Sequence, residues 1–202
     1  MKKVTNEQLS ALAKITTGLT NSAYSKEAIE GANKHQLLLG TSVKSDGSLN
    51  ESKLIEVWGQ PGKDLTRFLL QEGDVVLLAK GSSFKAGYIN KKYAGMSILA
   101  SANFIIIRLD TEKLHGEVLT AYLNSEIGQL ALKSIQKGAV IQSITASGLR
   151  GLAVPVPSKT SQVSIVDLFQ TGREAYNATI ALAEQQKKAV EAKIINLMEE
   201  AA

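Results

Sequence analysis

The 202-residue chain has no cysteine, two histidines and three prolines, Pro61, Pro155 and Pro157. Without cysteine there are no disulfides and no thiolate metal sites, which fits a reducing compartment. No glycine is followed two residues later by another, so the Gly-X-Gly turn of dinucleotide and S-adenosylmethionine sites is missing, and no Walker A motif occurs. The prolines also exclude the Asn-Pro-Pro-Tyr type of sequence with which amino-methyltransferases grip a flipped base. His35 and His115 are eighty residues apart with no ligand-spaced partner, and no serine or carboxylate has a local catalytic partner. The composition therefore predicts a protein with no metal, no cofactor and no catalytic residues. No run reaches the ~20 apolar residues of a membrane span. The polar Thr5-Asn6-Glu7-Gln8 comes after Met1-Lys2-Lys3, where a secretory signal would place its apolar core. A soluble, cytoplasmic protein is the expectation.

Acidic residues are missing locally as well. Residues 75–109 hold five basic side chains and no acidic one, whereas residues 1–74 hold nine of each. The net charge of +4 is thus concentrated in one segment. There "GDVVLLAKGSSFKAGYINKKY", residues 73–93, begins as a buried strand, Val75 to Leu78. It continues with Lys80, Lys85, Lys91 and Lys92 mixed with Phe84, Tyr88 and Tyr93. A local basic patch is the footprint of a polyanion binder. It is equally the pattern of a solvated lysine-rich hairpin. Phe84 and Tyr88 have the ordinary role of filling a core, while Tyr93, beside two lysines, is the better candidate for an exposed contact. Lysine neutralises phosphate, and serine, asparagine and tyrosine meet sugar, phosphate or base edges. The stretch offers both kinds.

Hydrophobic residues, 44% of the chain, suffice for a folded core. The predicted class is α+β, a mixed α/β domain with a long C-terminal coiled-coil helix after it. Strands are expected at 36–40, 53–58, 75–79, 97–109 and 152–156. A helix is expected from Asp110-Thr111 carrying Leu114, Val118, Tyr122 and Leu123, then a shorter one through Ile127, Leu130 and Ala131. Loops with glycine fall at 17–31, 44–48, 59–64 and 81–95. Pro155 and Pro157 alternate with Val154 and Val156, which forces an extended exit. Ser158 is placed to cap a helix through its hydroxyl. A boundary there gives a domain over 1–157 and a helix over 158–202.

From Ser158 to Glu200 there is no proline and one glycine, Gly172. Phe169, Tyr176, Ala183, Val190 and Leu197 recur every seven residues. Leu168, Ala175, Leu182 and Ala189 form an adjacent ladder, and Ile180 and Ile194 widen the seam. This is the heptad pattern of a long helix packed on another helix. Some forty residues make a rod of roughly 60 Å, too long to lie along one small domain. It requires a partner helix.

In order and spacing the chain resembles a target recognition domain and spacer helix of a type I restriction–modification DNA specificity (S) subunit. The likeness rests on "LSALAKITTGLT" (9–20), a strand leading to a glycine-polar loop, on "LLQEGDVVLLAKG" (69–81), on "SANFIIIRLD" (101–110) and on "LTAYLNSEIGQLAL" (119–132). The most specific stretch is "GAVIQSITASGLRGLAVPVPSKTSQVSIVDLF" (138–169). It contains Ile144, the Leu149 and Leu152 pair, the Pro-X-Pro exit and Gln162 opening a helix. The resemblance implies a non-catalytic subunit that reads a split site on double-stranded DNA, while methyltransferase (M) and endonuclease (R) subunits do the chemistry. Family members usually hold two recognition domains and two helices paired antiparallel. With one of each, this chain is expected to pair with a second copy of itself. The candidate DNA contacts are Lys80, Ser82, Ser83, Lys85, Tyr88, Lys91, Lys92 and Tyr93, with Lys44, Asn21 and Tyr24 from neighbouring loops. Two other classes stay open: a non-catalytic interaction protein masking a restriction-linked nuclease through its coiled coil and surface, and a small nucleic-acid enzyme with a non-local site.

Overall fold

The computed structural model describes residues 5–81, 83–138 and 142–200. Strand β1 (Thr5–Gln8) leads through a helical turn, α1 (Leu9–Leu12), into β2 (Ala13–Thr17); β3 (Tyr24–Ser25), β4 (Lys34–Leu38) and β5 (Ile55–Gly59) come after it. Next come β6 (Val75–Leu78), β7 (Ala86–Tyr88), α2 (Lys91–Ala94), β8 (Ile98–Ala100) and β9 (Phe104–Leu109). The chain ends with α3 (Gly116–Asn124), α4 (Glu126–Ser134), α5 (Ala146–Arg150), β10 (Ala153–Val156) and α6 (Lys159–Glu200).

Two four-stranded sheets stack, one in the order β2-β9-β6-β7 and the other β3-β5-β4-β8, and β1 pairs separately with β10. The two-residue period of a strand explains the layers. Val75, Leu77, Ile105 and Ile107 face a core shared with Leu114, Val118, Leu123, Leu149 and Val154 from the helical side. Val76, Leu78, Phe104 and Ile106 face the opposite way, into a core shared with Leu38, Ile98 and Ala100 of the second sheet. The outer face of that sheet, through Leu37, Val57 and Leu99, is covered by Leu19, Leu65 and Phe68. The central strands are apolar throughout because both of their faces are buried.

The apolar run at 97–109 is not one strand. β8 runs parallel to β4 in the second sheet, and β9 lies antiparallel between β2 and β6 in the first. Ser101 turns the chain, its carbonyl accepting from Phe104 N at 2.9 Å. The crossing is tight: a Cβ on Gly18 would lie 2.1 Å from the Ser101 carbonyl oxygen. The helix expected from Asp110 starts at Gly116 instead. Asp110 closes a turn, its carbonyl accepting from Lys113 N and Leu114 N. Within 9–20, Leu9–Leu12 form the helical turn, and the strand is Ala13–Thr17.

Ser158 caps α6, its hydroxyl accepting from Ser161 N at 3.3 Å. The helix has 42 residues and a length of about 63 Å. Its first turns lie on the domain. Ile165 and Val166 pack against the helical-side core, and the Phe169 ring reaches the backbone at Gly47. From Glu174 onward every residue to Glu200 is exposed.

Candidate nucleic-acid interface

Strand register divides the lysines that sit together in sequence. Leu78 N bonds to Lys85 O, and Val75 lies opposite Tyr88. Lys80 and Lys85 therefore sit at one end of β6, and the turn carrying Lys91 and Lys92 lies beyond the other end. At the first end Lys80 bridges to Ser143, which also bridges to Lys137. Exposed Ser83 belongs to the same loop, and Phe84 is buried under it. Gln129 on α4 anchors that loop by donating from Nε2 to Phe84 O at 2.8 Å. Beside it Asn124 donates from Nδ2 to Ala86 O and accepts on Oδ1 from Ala86 N, both at 2.9 Å. That side chain occupies the outer edge of β7 as a neighbouring strand would. Ser82 lies outside the described residues.

At the other end Lys92 and Arg108 are compensated. Lys92 forms an ion pair with Glu51, which raises the lysine pKa. Arg108 donates from Nε and Nη2 to the buried Asp74 carboxylate at 2.9 and 2.8 Å, and this bonding holds the guanidinium pKa above its usual value. Tyr93 is not the exposed contact expected of it. It is 7% exposed and donates its hydroxyl to Leu49 O, because the four-residue α2 turns its aromatic side into the core between the sheets. Tyr88 is half-buried; burial first, then the neighbouring Glu117 carboxylate, push its phenol pKa up. Of this group Lys91 is exposed and makes no ion pair among the described residues.

The remaining candidates are elsewhere. Lys44 is exposed on the 44–48 loop that meets Phe169 of α6. Asn21 and Tyr24 lie beyond β2, where the Tyr24 hydroxyl donates to Asn21 Oδ1 at 2.8 Å and burial raises the Tyr24 pKa. Beside them are basic residues that the sequence does not single out. Lys14 on β2 and the pair Lys63 and Arg67 on one loop line adjoining clefts. Nothing local in the sequence joins Lys14 to the other two. No cluster of three or more His, Cys, Asp or Glu side chains able to hold a metal occurs among the described residues. No helix among them is long and apolar enough to cross a membrane.

Along α6 the expected seam residues change character. Phe169 is partly covered by the domain, with Arg173 stacked 5.4 Å from its ring centroid. Tyr176 is 49% exposed, Ile180 43%, Val190 59%, Ile194 52% and Leu197 54%. Ala183 is exposed in the same row. An apolar stripe of this length costs roughly 1.5–3 kcal/mol per large side chain left in water.

No family model matches the chain, and no curated protein matches it. Solved structures do. The type I restriction–modification S subunit from M. genitalium aligns over 92% of this chain at a TM-score of 0.59 and 16% identity. The HsdS subunit from Thermoanaerobacter tengcongensis aligns over 93% at 0.62 and 16% identity. A chain from a structure describing complex assembly and conformational transition of the type I R-M system aligns over 93% at 0.66 and 18% identity. The chain has the fold of type I S subunits. It spans 43%, 46% and 47% of these three chains, respectively, so each is more than twice the length it matches. The S-subunit likeness extends through the mixed α/β part and into α6, in agreement with the predicted α+β class and its long C-terminal helix.

Proposed function

We propose that the chain is a sequence-specific DNA-binding specificity subunit of a type I restriction–modification system, without catalytic activity of its own. Residues 1–157 contact double-stranded DNA, and residues 158–202 pair with the same helix of a second copy. The homodimer directs methyltransferase and endonuclease subunits to a bipartite site. The observation that carries this reading is the shared S-subunit fold over more than nine-tenths of the chain, ending in a helix whose apolar stripe is exposed from Tyr176 to Leu197. Two copies joined antiparallel reproduce the two-domain, two-helix arrangement that a longer chain builds within itself. Lys80 and Lys85, with Lys137 beside them, give the domain a basic end, and none of the three forms an ion pair among the described residues.

Mobility shift on random-sequence duplex and then selection of bound sequences test the reading, with methyltransferase subunits added in a parallel arm. The expected result is two identical half-sites in inverted orientation, separated by unspecified bases. Enrichment of no sequence in either arm overturns it.

A further inference from the structure

Three clefts of about 420, 190 and 230 Å³ open side by side and share the 63–67 segment. Together they form one trench. It runs from Asn33 and Gln60, past Lys63 and Arg67, to Lys14 and Thr16 on β2. β2 is the free edge of its sheet. Lys14, Lys63 and Arg67 are exposed and form no ion pair among the described residues. The trench acids are Glu30 and Asp64. Hydrogen bonding to the Thr66 side chain first, and then to Thr66 N at 2.9 Å, ties the Asp64 carboxylate into the turn and lowers its pKa. Arg67 rests over the Phe68 ring at 4.5 Å, a stacking that steadies the guanidinium while leaving its N–H edge free to bind.

The geometry points to this trench as the seat of one DNA strand's sugar–phosphate backbone, an inference that rests on the DNA-binding reading above. Cations from two segments far apart in sequence, β2 and residues 63–67, converge on a concave surface that also presents the hydroxyls of Thr16, Thr20 and Ser22. Cations interleaved with neutral donors are what phosphate and sugar contacts use. The extent of the trench favours a polymer over a single small anion. Its position fits as well. The chain leaves β2 toward Thr20 at the same end of the sheet where Ala79 N bonds to Asn103 O, next to Lys80. β2 and β6 are two strands apart, about 10 Å, so one duplex can meet the trench and the Lys80–Lys85 loop together.

The test measures DNA affinity against salt for the full chain, on the selected duplex, by fluorescence anisotropy. The variants are the triple Lys14→Ala/Lys63→Ala/Arg67→Ala and a control of equal charge, Lys26→Ala/Lys53→Ala/Lys159→Ala, whose residues are exposed and outside the trench. All six positions are on the surface, and thermal melting verifies that both variants are folded. The trench triple should flatten the log–log salt slope by up to about 2.7 units, while the control keeps the parent slope. Equal flattening by both triples would reduce the effect to net charge and overturn the inference. A parent slope in the trench triple alongside a lost slope in Lys80→Ala/Lys85→Ala would overturn the trench and leave the DNA-binding reading standing. Failure of the parent to bind any duplex, with or without methyltransferase subunits, would overturn both.

Discussion

The side-chain oxygen of Gln162 accepts a hydrogen bond from the backbone N–H of His115 at 3.0 Å, although 47 residues separate them. The same amide donates from Nε2 to Lys113 O at 2.9 Å and to Pro157 O at 3.0 Å. Gln162 is 1% exposed, so one side chain joins the first turn of α6 to the loop that opens α3 and to the proline exit. Gln162→Ala leaves these groups unpaired at a cost of about 1–3 kcal/mol. Gln162→Glu should do no better at neutral pH, because a carboxylate accepts from His115 N but cannot donate to two carbonyls. Denaturant midpoints at constant slope measure both; a parent midpoint for either variant contradicts the clamp.

A second buried anchor is Asp74. Its carboxylate takes two bonds from Arg108 and one from Gln71 N at 2.8 Å, and Arg108 also donates to Leu69 O. Asp74 is 1% exposed, whereas the Arg108 side chain keeps 29% of its surface in water. Asp74→Asn strands the guanidinium without its charge partner. The expected loss is about 2–4 kcal/mol, below the largest values for breaking a buried pair because Arg108 retains some solvation. The paired change Asp74→Asn/Arg108→Met should recover part of it in a double-mutant cycle.

Much of the frame was legible in the sequence because it depends on local pattern. The run Val75–Leu78 reads as a central strand since both faces are apolar, and Pro155-Val156-Pro157-Ser158 announces a helix start. Where two elements share one apolar run the pattern fails. Leu99 and Phe104 belong to different sheets, and only the short Ser101-Ala102-Asn103 hints at the turn. Surface electrostatics were the least legible. Lys80 and Lys92 are twelve positions apart yet lie toward opposite ends of a strand, and Lys92 is neutralised by Glu51, forty-one residues away. Lys14, Lys63 and Arg67 meet only because β2 and the 60–67 loop are packed beside one another. Asn124 is similar: nothing adjacent in the sequence marks it as the partner of the β7 edge.

That separation makes the lysines distinguishable by experiment. If Lys80 and Lys85 neutralise phosphates, Lys80→Ala/Lys85→Ala should flatten the salt slope of DNA affinity by up to about 1.8 units. Lys92→Ala should change it less than Lys91→Ala, because Glu51 already compensates the Lys92 charge. Equal slopes for parent and Lys80→Ala/Lys85→Ala would make the loop a solvated hairpin and nothing more.

The exposed stripe on α6 bears on assembly. Burying Tyr176, Val190 and Leu197 against a second helix stabilises the pair by roughly 1.5–3 kcal/mol for each side chain fully covered. Val190→Asp/Leu197→Asp should therefore yield a folded monomer, since both positions lie beyond the part of the helix that packs on the domain. Light scattering decides: a monomeric parent, or an unchanged mass for the variant, removes the homodimer.

If two copies join through antiparallel helices, a two-fold axis relates their domains and the half-sites are inverted copies of one sequence. The helix does not act along its whole length. With its first turns packed against the domain, the part that projects is Glu174–Glu200, about 40 Å. That length sets the separation of the two domains, and it lies close to one turn of B-DNA, about 34–36 Å. Half-site centres should thus fall about one turn apart, with unspecified bases between them because a helix pair offers no loops to read them. Seven residues inserted between Ala183 and Glu184 fall in the projecting part and keep the heptad seam in register. They lengthen the spacer by about 10 Å. At about 3.4 Å per base pair the preferred gap should grow by about three base pairs with the half-sites unchanged. The in-register insertion turns one domain by only about 20°, whereas three added base pairs turn a half-site by about 100°, so the longer gap is filled with the remaining twist taken up by the DNA and the helix pair. A four-residue insertion breaks the seam and should abolish selection of paired half-sites while single half-sites remain bound. Sequence selection on the parent and both insertion proteins measures this; an asymmetric site, or an unchanged gap with the seven-residue insertion, refutes the helix as a ruler.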